Sequence, residues 1–525
     1  MPLGTSCLTC LGNPLSRRKA IRFIISRLTA GRRDLPALKN EAAGLFFLSK
    51  TAKNSEIMPL LPKGSAKGVR ALLFRKPIRT ASGITPIAVM VRPSGSCTFS
   101  CIYCPTSSIA PKSYTGLEPA ARRARASLFD SRTQVRTRLM QYRIQGHPAD
   151  KCELIAMGGT FLRMPEPYKR SFVKGIYDAL NGRKSKNVLD AQRINGRSRH
   201  RAVGFTFETR PDVCSSDDIR EMLLFGATRV ELGVQNPDDS IYRRINRGHT
   251  VSDVVNATAR LKDSALKVAY HLMPGLPGSS PSKDAAMARK IFSDQRFRPD
   301  MLKIYPTLVI SGTRLFRMQE KGEYSPYSTE EAADVISEMY RHIPYYARVM
   351  RIQRDIPLDA ISSGVRNSNL RQMVELMALE KGIEIREIRF REPRSAAMRG
   401  KPKLFREDYI ASKGKETFLS FESGNRDTVY GFIRLRIPHA PFMEQIGNST
   451  ALIRELHVYG PEAEIGSAGK IQHRGLGTKL LKEAEEIARK EFGMERMVIM
   501  SGVGARDYYY KRGYKPELPY VSKRL

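Results

Sequence analysis

The sequence predicts an α/β protein: a partial (β/α) barrel followed by a smaller α/β domain. Two patterns and one motif point to it. Six short, nearly continuous apolar runs, Ile84–Val91, Glu153–Met157, Ala202–Phe207, Arg229–Val234, Leu266–Leu272 and Met301–Tyr305, alternate with longer helix-compatible stretches. Uninterrupted apolar strands of this length belong to parallel sheets covered on both faces. Beyond about residue 390 the rhythm changes. Thr417–Glu422, Thr428–Ile437, Ala451–Val458 and Arg496–Ser501 read as strands, and the alternation in Thr428–Ile437 is that of an antiparallel pair. The motif is Gln472-His473-Arg474-Gly475-Leu476-Gly477, which opens a helix carrying Leu480, Leu481, Ala484, Ile487 and Ala488 on one face.

Each run of the first part ends in loop-forming residues: Gly158-Gly159-Thr160, Glu208-Thr209-Arg210, Gln235-Asn236 and Pro274-Gly275. In parallel α/β architectures the active site gathers at the carboxyl ends of the strands. Just past the first run stand Cys97, Cys101 and Cys104, a C-x3-C-x2-C triplet, while the other four cysteines of the chain are scattered. Thiolates this close converge on one metal centre. An iron–sulfur cluster takes four protein ligands, as does a cysteine-only zinc site. Three ligands without a fourth nearby therefore suggest a cluster whose last iron is left open for a substrate. A zinc site completed by a distant residue is the alternative.

The second chemical signal is the Q-x-x-G-x-G run. Glycines at a helix start let backbone N–H groups approach a ligand, and the helix dipole favours a pyrophosphate. The third glycine of a dinucleotide fingerprint is missing. With the preceding strand and the later cluster Tyr508-Tyr509-Tyr510, the run resembles the acyl-CoA cleft of GNAT acetyltransferases.

Composition bounds the partners. The chain carries 89 Lys plus Arg against 52 Asp plus Glu, a net charge of +37, which points to a polyanion. The excess is concentrated: residues 1–80 hold 16 basic and 3 acidic side chains, and Arg122–Arg143 and Arg183–Arg201 each hold seven basic residues and one Asp. No apolar run approaches the roughly 20 residues that span a bilayer. The stretch Ala20–Leu28 is broken by Arg22 and Arg27, so no secretory leader is expected. Seven sparse cysteines suit a reducing cytoplasm.

The cysteine triplet followed by Met157-Gly158-Gly159-Thr160 looks like a radical S-adenosylmethionine domain. Joined to a C-terminal acetyltransferase, it resembles the catalytic subunit family of Elongator and its single-chain archaeal and bacterial relatives. Matching stretches include KPIRTASGI (76–84), SYTGLEP (113–119), GHPADKCELIAMGGTF (146–161), FETRPDVC (207–214), LKIYPTLVI (302–310), RIQRDIP (351–357), ELHVYG (455–460), QHRGLG (472–477) and SGVGARDYYYKRGY (501–514). The resemblance covers residue 76 to the end. It implies a radical S-adenosylmethionine domain 76–380 and a GNAT domain 381–525; the basic region 1–75, which it covers poorly, is expected from its charge to contact tRNA. It also implies a 4Fe-4S cluster, S-adenosyl-L-methionine and acetyl-CoA as cofactors. The implied activity places an acetyl-derived carboxymethyl group on carbon 5 of the wobble uridine, in the anticodon stem-loop of tRNA.

Carried over by position, Cys97, Cys101 and Cys104 would ligate the cluster, and Gly158, Gly159, Glu208 and Gln235 would line the S-adenosylmethionine site. Lys151 would contact acetyl-CoA from the radical domain. Glu455, Leu456, His457 and Val458 would flank the thioester, Leu476, Gly477 and Thr478 would hold the pyrophosphate, and Tyr509 would sit near the CoA sulfur. The chain departs from the pattern in two places. Glu384–Phe390 lacks the cysteines that archaeal relatives often carry there, so no zinc is expected at that segment, and Pro105-Thr106-Ser107 follows the third cysteine where a glycine pair is usual. A protein lysine acetyltransferase is the competing activity, disfavoured by the charge. A scaffold with a degenerate acyl site is a third reading, which Gln472, Gly475, Gly477 and Tyr509 argue against. Homodimer formation and accessory subunits stay open.

Overall fold

The computed structural model describes residues 14–62, 64–65, 67–73, 83–94, 97, 99–158, 161–354, 356–393, 401–459 and 475–525. The chain forms two compact units, one of residues 1–85 with 136–150 and one of residues 86–135 with 151–525.

The smaller unit is helical. Pro14–Thr29 and Leu35–Leu45 lead it, and the second helix starts where the Asp34 side chain accepts from the Ala37 N–H. Ala20, Ile24, Leu28, Leu38, Ala42, Ile57 and Leu73 close its core. The arginines between those positions stay outside, which leaves the surface strongly basic.

The larger unit holds two seven-stranded sheets. The first is built from β1 (Ile84–Met90), β2 (Lys151–Met157), β3 (Arg201–Thr209), β4 (Arg229–Gln235), β5 (Lys267–Leu272) and β6 (Met301–Ile304), with β8 (Arg348–Ile352) at its edge. From β2 to β8 neighbouring strands pair in parallel. β7 (Val309–Ile310) and β9 (Ile361–Ser363) form a small ribbon. All six apolar runs are strands. The seventh, β8, falls inside the Arg- and Ile-rich stretch about 345–390 that reads as a connection, because three of its five residues are Arg or Met and only Val349 and Ile352 are buried.

The second sheet runs β10 (Lys403–Ala411), β11 (Gly414–Glu422), β12 (Val429–Ile437), β13 (Thr450–Val458), β14 (Arg496–Ile499), β16 (Tyr520–Arg524) and β15 (Lys515–Glu517). Leu480, Leu481, Ala484, Ile487 and Ala488 of the helix Leu476–Lys490 pack on Leu419, Ile433, Leu435, Ile453 and Ile499. These are the five apolar positions the sequence places on one face. No described helix is long and apolar enough to cross a membrane.

The two sheets meet through buried ions. Arg454 donates to Asp300 at 2.6 and 2.8 Å and to Glu416 at 2.9 Å. Arg436 donates to Asp263 at 2.6 Å and to Glu416 at 2.9 Å. Charged hydrogen bonds are strong when every donor finds an acceptor, so this seam fixes one sheet against the other.

Candidate active site

The three candidate cluster ligands lie on the loop after β1. Cys101 is buried, and Cys97 and Cys104 are half-buried. The Cys104 N–H donates to the Cys101 carbonyl at 3.0 Å, a tight turn that brings two of the thiols to one side. Arg247 Nη1 donates to Cys101 Sγ at 3.6 Å, and the same guanidinium donates through Nη2 to the Gly233 carbonyl at 2.6 Å. A β-carbon at Gly233 would stand 2.6 Å from that nitrogen, so glycine makes the room Arg247 needs. Cys104 Sγ lies 3.3 Å from the Ser113 hydroxyl. Burial pushes the Cys104 thiol up, while Ser113, Arg354 and Lys112 pull it back. Phe99 lies between Arg210, stacked 3.8 Å from its ring, and Gly248, where a β-carbon would strike the ring.

The donor set suits an anionic cluster. Arg247 reaches Cys101, and Lys112 and Arg354 act on Cys104, while Tyr103 Oη, Arg247 Nε and both nitrogens of His249 are buried without hydrogen bonds, His249 Nδ1 lying 3.8 Å from Asp212. Among the described residues the three sulfurs are not gathered within 4.8 Å of one another, as ligands of a single ion would be; only Glu208, Glu231 and His271 are.

The other candidates on this edge follow the strand ends. Gly158 closes β2 at φ +118°, and a β-carbon there would lie 2.4 Å from Val91 Cγ2. Glu208, near the end of β3, accepts from Tyr114 Oη at 2.9 Å. Gln235 ends β4 at φ +66°, and its carbonyl accepts from the Met273 N–H at 2.7 Å. Gly159 lies outside the described residues.

The acyl candidates lie in the second sheet. β13 pairs with β14 only from Thr450 to Ile453, whereas beside β12 it continues to Val458. The two strands therefore part at Arg454, and Glu455, Leu456, His457 and Val458 line the opening. Glu455 accepts from Arg434 Nε at 2.9 Å and lies 3.6 Å from Lys267 Nζ on β5. Burial alone would raise its pKa, but Lys267 and Arg434 hold it at about 2. Burial pushes His457 down to about 4. At neutral pH it is an uncharged ring, stacked on Phe432 and 4.2 Å from Tyr459. That agrees with a binding rather than an acid–base role.

Leu476 and Gly477 begin the long helix after Gly475, which caps it at φ +78°. A β-carbon at Gly477 would come within 2.7 Å of Tyr508 Oη. Thr478 Oγ1 accepts from Arg512 Nη2 at 2.9 Å, and Arg512 stacks 3.6 Å from the Tyr508 ring. Sequence reasoning missed Arg512, a cation beside the helix N-terminus where an anion is expected. Tyr509 is buried against Tyr508 and Tyr514, and burial raises its phenol. Lys151 starts β2, half-buried. Gln472, His473 and Arg474 lie outside the described residues.

Between these two sets runs a line of charges that the sequence reading left unused. Lys303 donates to Glu231 Oε2 and lies 4.0 Å from Glu208. His271 Nε2 lies 2.8 Å from the same Glu231 oxygen. Arg229 pairs with Glu153 at 2.6 Å and stands 3.5 Å from Glu231 Oε1. The signal was present: a Glu, a His and a Lys interrupt three otherwise apolar strands.

Comparison with known proteins agrees with both halves. The chain matches the ELP3 N-terminal domain over residues 17–81, the Radical SAM superfamily over 91–291, the Radical_SAM C-terminal domain over 299–379 and the Acetyltransferase (GNAT) family over 382–514. It is 48% identical over 461 residues to a tRNA uridine(34) acetyltransferase of Dehalococcoides mccartyi (strain CBDB1), covering 86% of this chain and 100% of that one. It is 39% identical to Elongator complex protein 3 of Homo sapiens, covering 94% of this chain and 93% of the human one. The solved structure of archaeal Methanocaldococcus infernus Elp3 with an N-terminus deletion (1-46) superposes with a TM-score of 0.76 at 44% identity, over 85% of this chain and 100% of that one.

Proposed function

Because the chain belongs to the Elongator ELP3 family, a radical S-adenosylmethionine domain joined to a GNAT domain, we propose that it modifies the wobble uridine of tRNA. The acetyl-derived group would come from acetyl-CoA and arrive at carbon 5 as a carboxymethyl group. The observation that carries this reading is the placement of a cation-ringed thiol loop and a splayed acyl strand within one compact unit. The net charge of +37 supports a phosphate-rich substrate.

A 4Fe-4S cluster with S-adenosyl-L-methionine supplies a carbon-centred radical, which suits a pyrimidine carbon that ordinary acid–base chemistry reaches poorly. The protein's part is binding, orientation and shielding. Cys97, Cys101 and Cys104 would hold the cluster, with Arg247 balancing the Cys101 thiolate. Gly158, Gly159, Glu208 and Gln235 would hold the cosubstrate at the strand ends. At the other end Glu455 to Val458 would accept the thioester, with Lys151 as a further acetyl-CoA contact. Leu476, Gly477 and Thr478 would cradle the pyrophosphate, and Tyr509 would face the sulfur.

The test uses anaerobically reconstituted protein with tRNA, S-adenosylmethionine and acetyl-CoA, followed by nucleoside mass analysis. A tRNA-dependent 5-carboxymethyluridine is expected, and Cys101→Ser abolishes it. No such product from the intact protein, together with acetylation of a lysine peptide, would replace this reading with the lysine acetyltransferase.

A further inference from the structure

Joining carbon to carbon 5 of a pyrimidine leaves a hydrogen on that carbon, and the C5–H bond must break before the ring recovers its double bond. The proton needs an acceptor at the radical end of the site. Resting on the function proposed above, we propose that His271, held by Glu231, is the general base that takes it.

Five polar side chains meet on one face of the first sheet: Glu208, Glu231, His271, Lys303 and Tyr305. Strand register brings them together, because Glu208 pairs with Glu231 across β3 and β4, and His271 pairs with Lys303 across β5 and β6. Glu231 is wholly buried. Burial would raise its pKa, but Lys303, His271 and Arg229 hold it well below the usual range. An ionised carboxylate only accepts, so the 2.8 Å contact is a hydrogen bond donated by His271 Nε2. In the neutral ring that bond places the proton on Nε2 and leaves Nδ1 as the acceptor. The Tyr305 ring, 5.4 Å away and edge-on, fixes the plane. A carboxylate that orients a histidine for proton transfer is a recurrent catalytic arrangement.

The neighbours are less suited to the task. Lys303 donates to Glu231, and its positive charge fills the position a metal ion would take among Glu208, Glu231 and His271. Glu208 already accepts from Tyr114 and is an expected cosubstrate residue. Glu231 is out of reach of any substrate. The His271 side chain keeps 16% of its surface open while that of Glu231 keeps none. His271 also lies in the carboxyl half of its strand, the end where α/β sites receive substrates.

The step balances as follows. The C5–H bond of the adduct breaks and its proton goes to His271 Nδ1. Two of the three electrons, from that bond and from the unpaired electron on C6, form the C5–C6 double bond. The third would leave to a one-electron oxidant, of the class that an iron–sulfur cluster held by Cys97, Cys101 and Cys104 would supply in its oxidised form.

The experiment compares the reconstituted full chain with His271→Gln and Glu231→Gln, measuring 5′-deoxyadenosine and modified uridine together. General-base loss costs roughly 100-fold or more in product. His271→Gln is expected to lose product by about that factor, with 5′-deoxyadenosine falling far less, so that the ratio of the two rises at least tenfold. The KM values for S-adenosylmethionine and acetyl-CoA should stay within about threefold. Glu231→Gln, which keeps an acceptor for His271 but removes the charge that Lys303 and Arg229 also face, is expected to lose at least about tenfold. Independently of turnover, nitrogen-15 spectra of the cluster-free protein should show His271 protonated at Nε2, and Glu231→Gln should lose that preference. An unchanged ratio in His271→Gln, or a ring protonated at Nδ1, overturns the assignment while leaving the tRNA reading standing. An intact protein that makes no tRNA-dependent product overturns both.

Discussion

Two sets of buried charges occupy the larger unit, and they are finished to different standards. At the seam between the sheets, every guanidinium nitrogen of Arg454 and Arg436 has an acceptor: Asp300, Glu416 and the Leu266 carbonyl for the first, and Asp263, Glu416 and the Ala411 carbonyl for the second. Across the face of the first sheet, Arg229 spends Nη1 on Glu153, while its Nε and Nη2, Glu231 Oε1 and Thr206 Oγ1 are buried without hydrogen bonds. A satisfied network rigidifies, and an unsatisfied buried polar atom costs free energy. The seam is therefore built for stability, with Arg434 Nη1, 3.8 Å from Asp300 and without a hydrogen bond, as its exception. The second set is held at a loss, which is the usual mark of a site kept for its chemistry.

The sharpest way to break this contrast is Arg454→Met. It takes from Asp300 and Glu416 the guanidinium that joins them, leaving Lys262 at 3.4 and 3.5 Å and Arg436 on Glu416, and removing one partner of a buried ion network costs about 3–5 kcal/mol. Urea unfolding of the full chain should show a loss of that size. A loss under about 1 kcal/mol would mean the seam is not the clamp its geometry suggests.

Glu455 stands where the two sets approach each other, and acid tests it. Its pKa of about 2 in the fold lies below the ordinary 4.5. Its ionised form therefore stabilises the native state at every pH above about 4.5, and that contribution disappears as pH falls from 4.5 towards 2. A shift of this size is worth at most roughly 3 kcal/mol. His457, pushed to about 4 from an ordinary 6.5, adds a loss of the same sign over the higher range, because the unfolded ring binds a proton that the folded one refuses. Glu455→Gln should remove the lower part of the acid transition and keep the upper part. Loss of both parts together would show that the two groups titrate as one.

The pairings within the seam and the line of charges were not legible in the sequence for the same reason, although the charged residues themselves stood out. The cysteine triplet and the Gly475-Leu476-Gly477 turn are local patterns, so spacing marks them as candidates, while the roles expected of Gly158, Leu476 and Gly477 rest on the resemblance. Apolar runs revealed six strands, but β8, with Arg348 and Arg351 in five residues, hid in a charged stretch. Thr478 and Arg512 are 34 residues apart, and their pairing depends on how a short helix docks on a long one. Arg454 and Asp300 are 154 apart. Pairings of that range are decided by tertiary packing, and a single charge inside an apolar run shows only that some partner must exist.

Arg229→Met tests the other side of the contrast. Its partner Glu153 keeps 29% of its side-chain surface open and can turn to water, and Glu231 retains Lys303 and His271. The stability loss should be about 1–2 kcal/mol, well below that of Arg454→Met. The same denaturation measurement decides it, and equal losses at the two arginines would erase the distinction between the networks.

The finest test is a pair of isosteric changes, Thr206→Val and Thr258→Val. Thr258 Oγ1 is buried, donates to the Val254 carbonyl at 2.7 Å and lies 2.5 Å from Tyr270 Oη. Replacing it strands a phenol, at a cost of about 1–2 kcal/mol. Thr206 Oγ1 is equally buried and has no partner. A methyl group there removes an unpaid desolvation cost, so Thr206→Val should be neutral or stabilising by up to about 1 kcal/mol. If the hydroxyl, opposite Arg229 in the strand register, is retained for the reaction, the variant should be no less stable than the parent and yet slower in forming modified uridine. A variant both less stable and fully active would place Thr206 with the seam, as part of the scaffold.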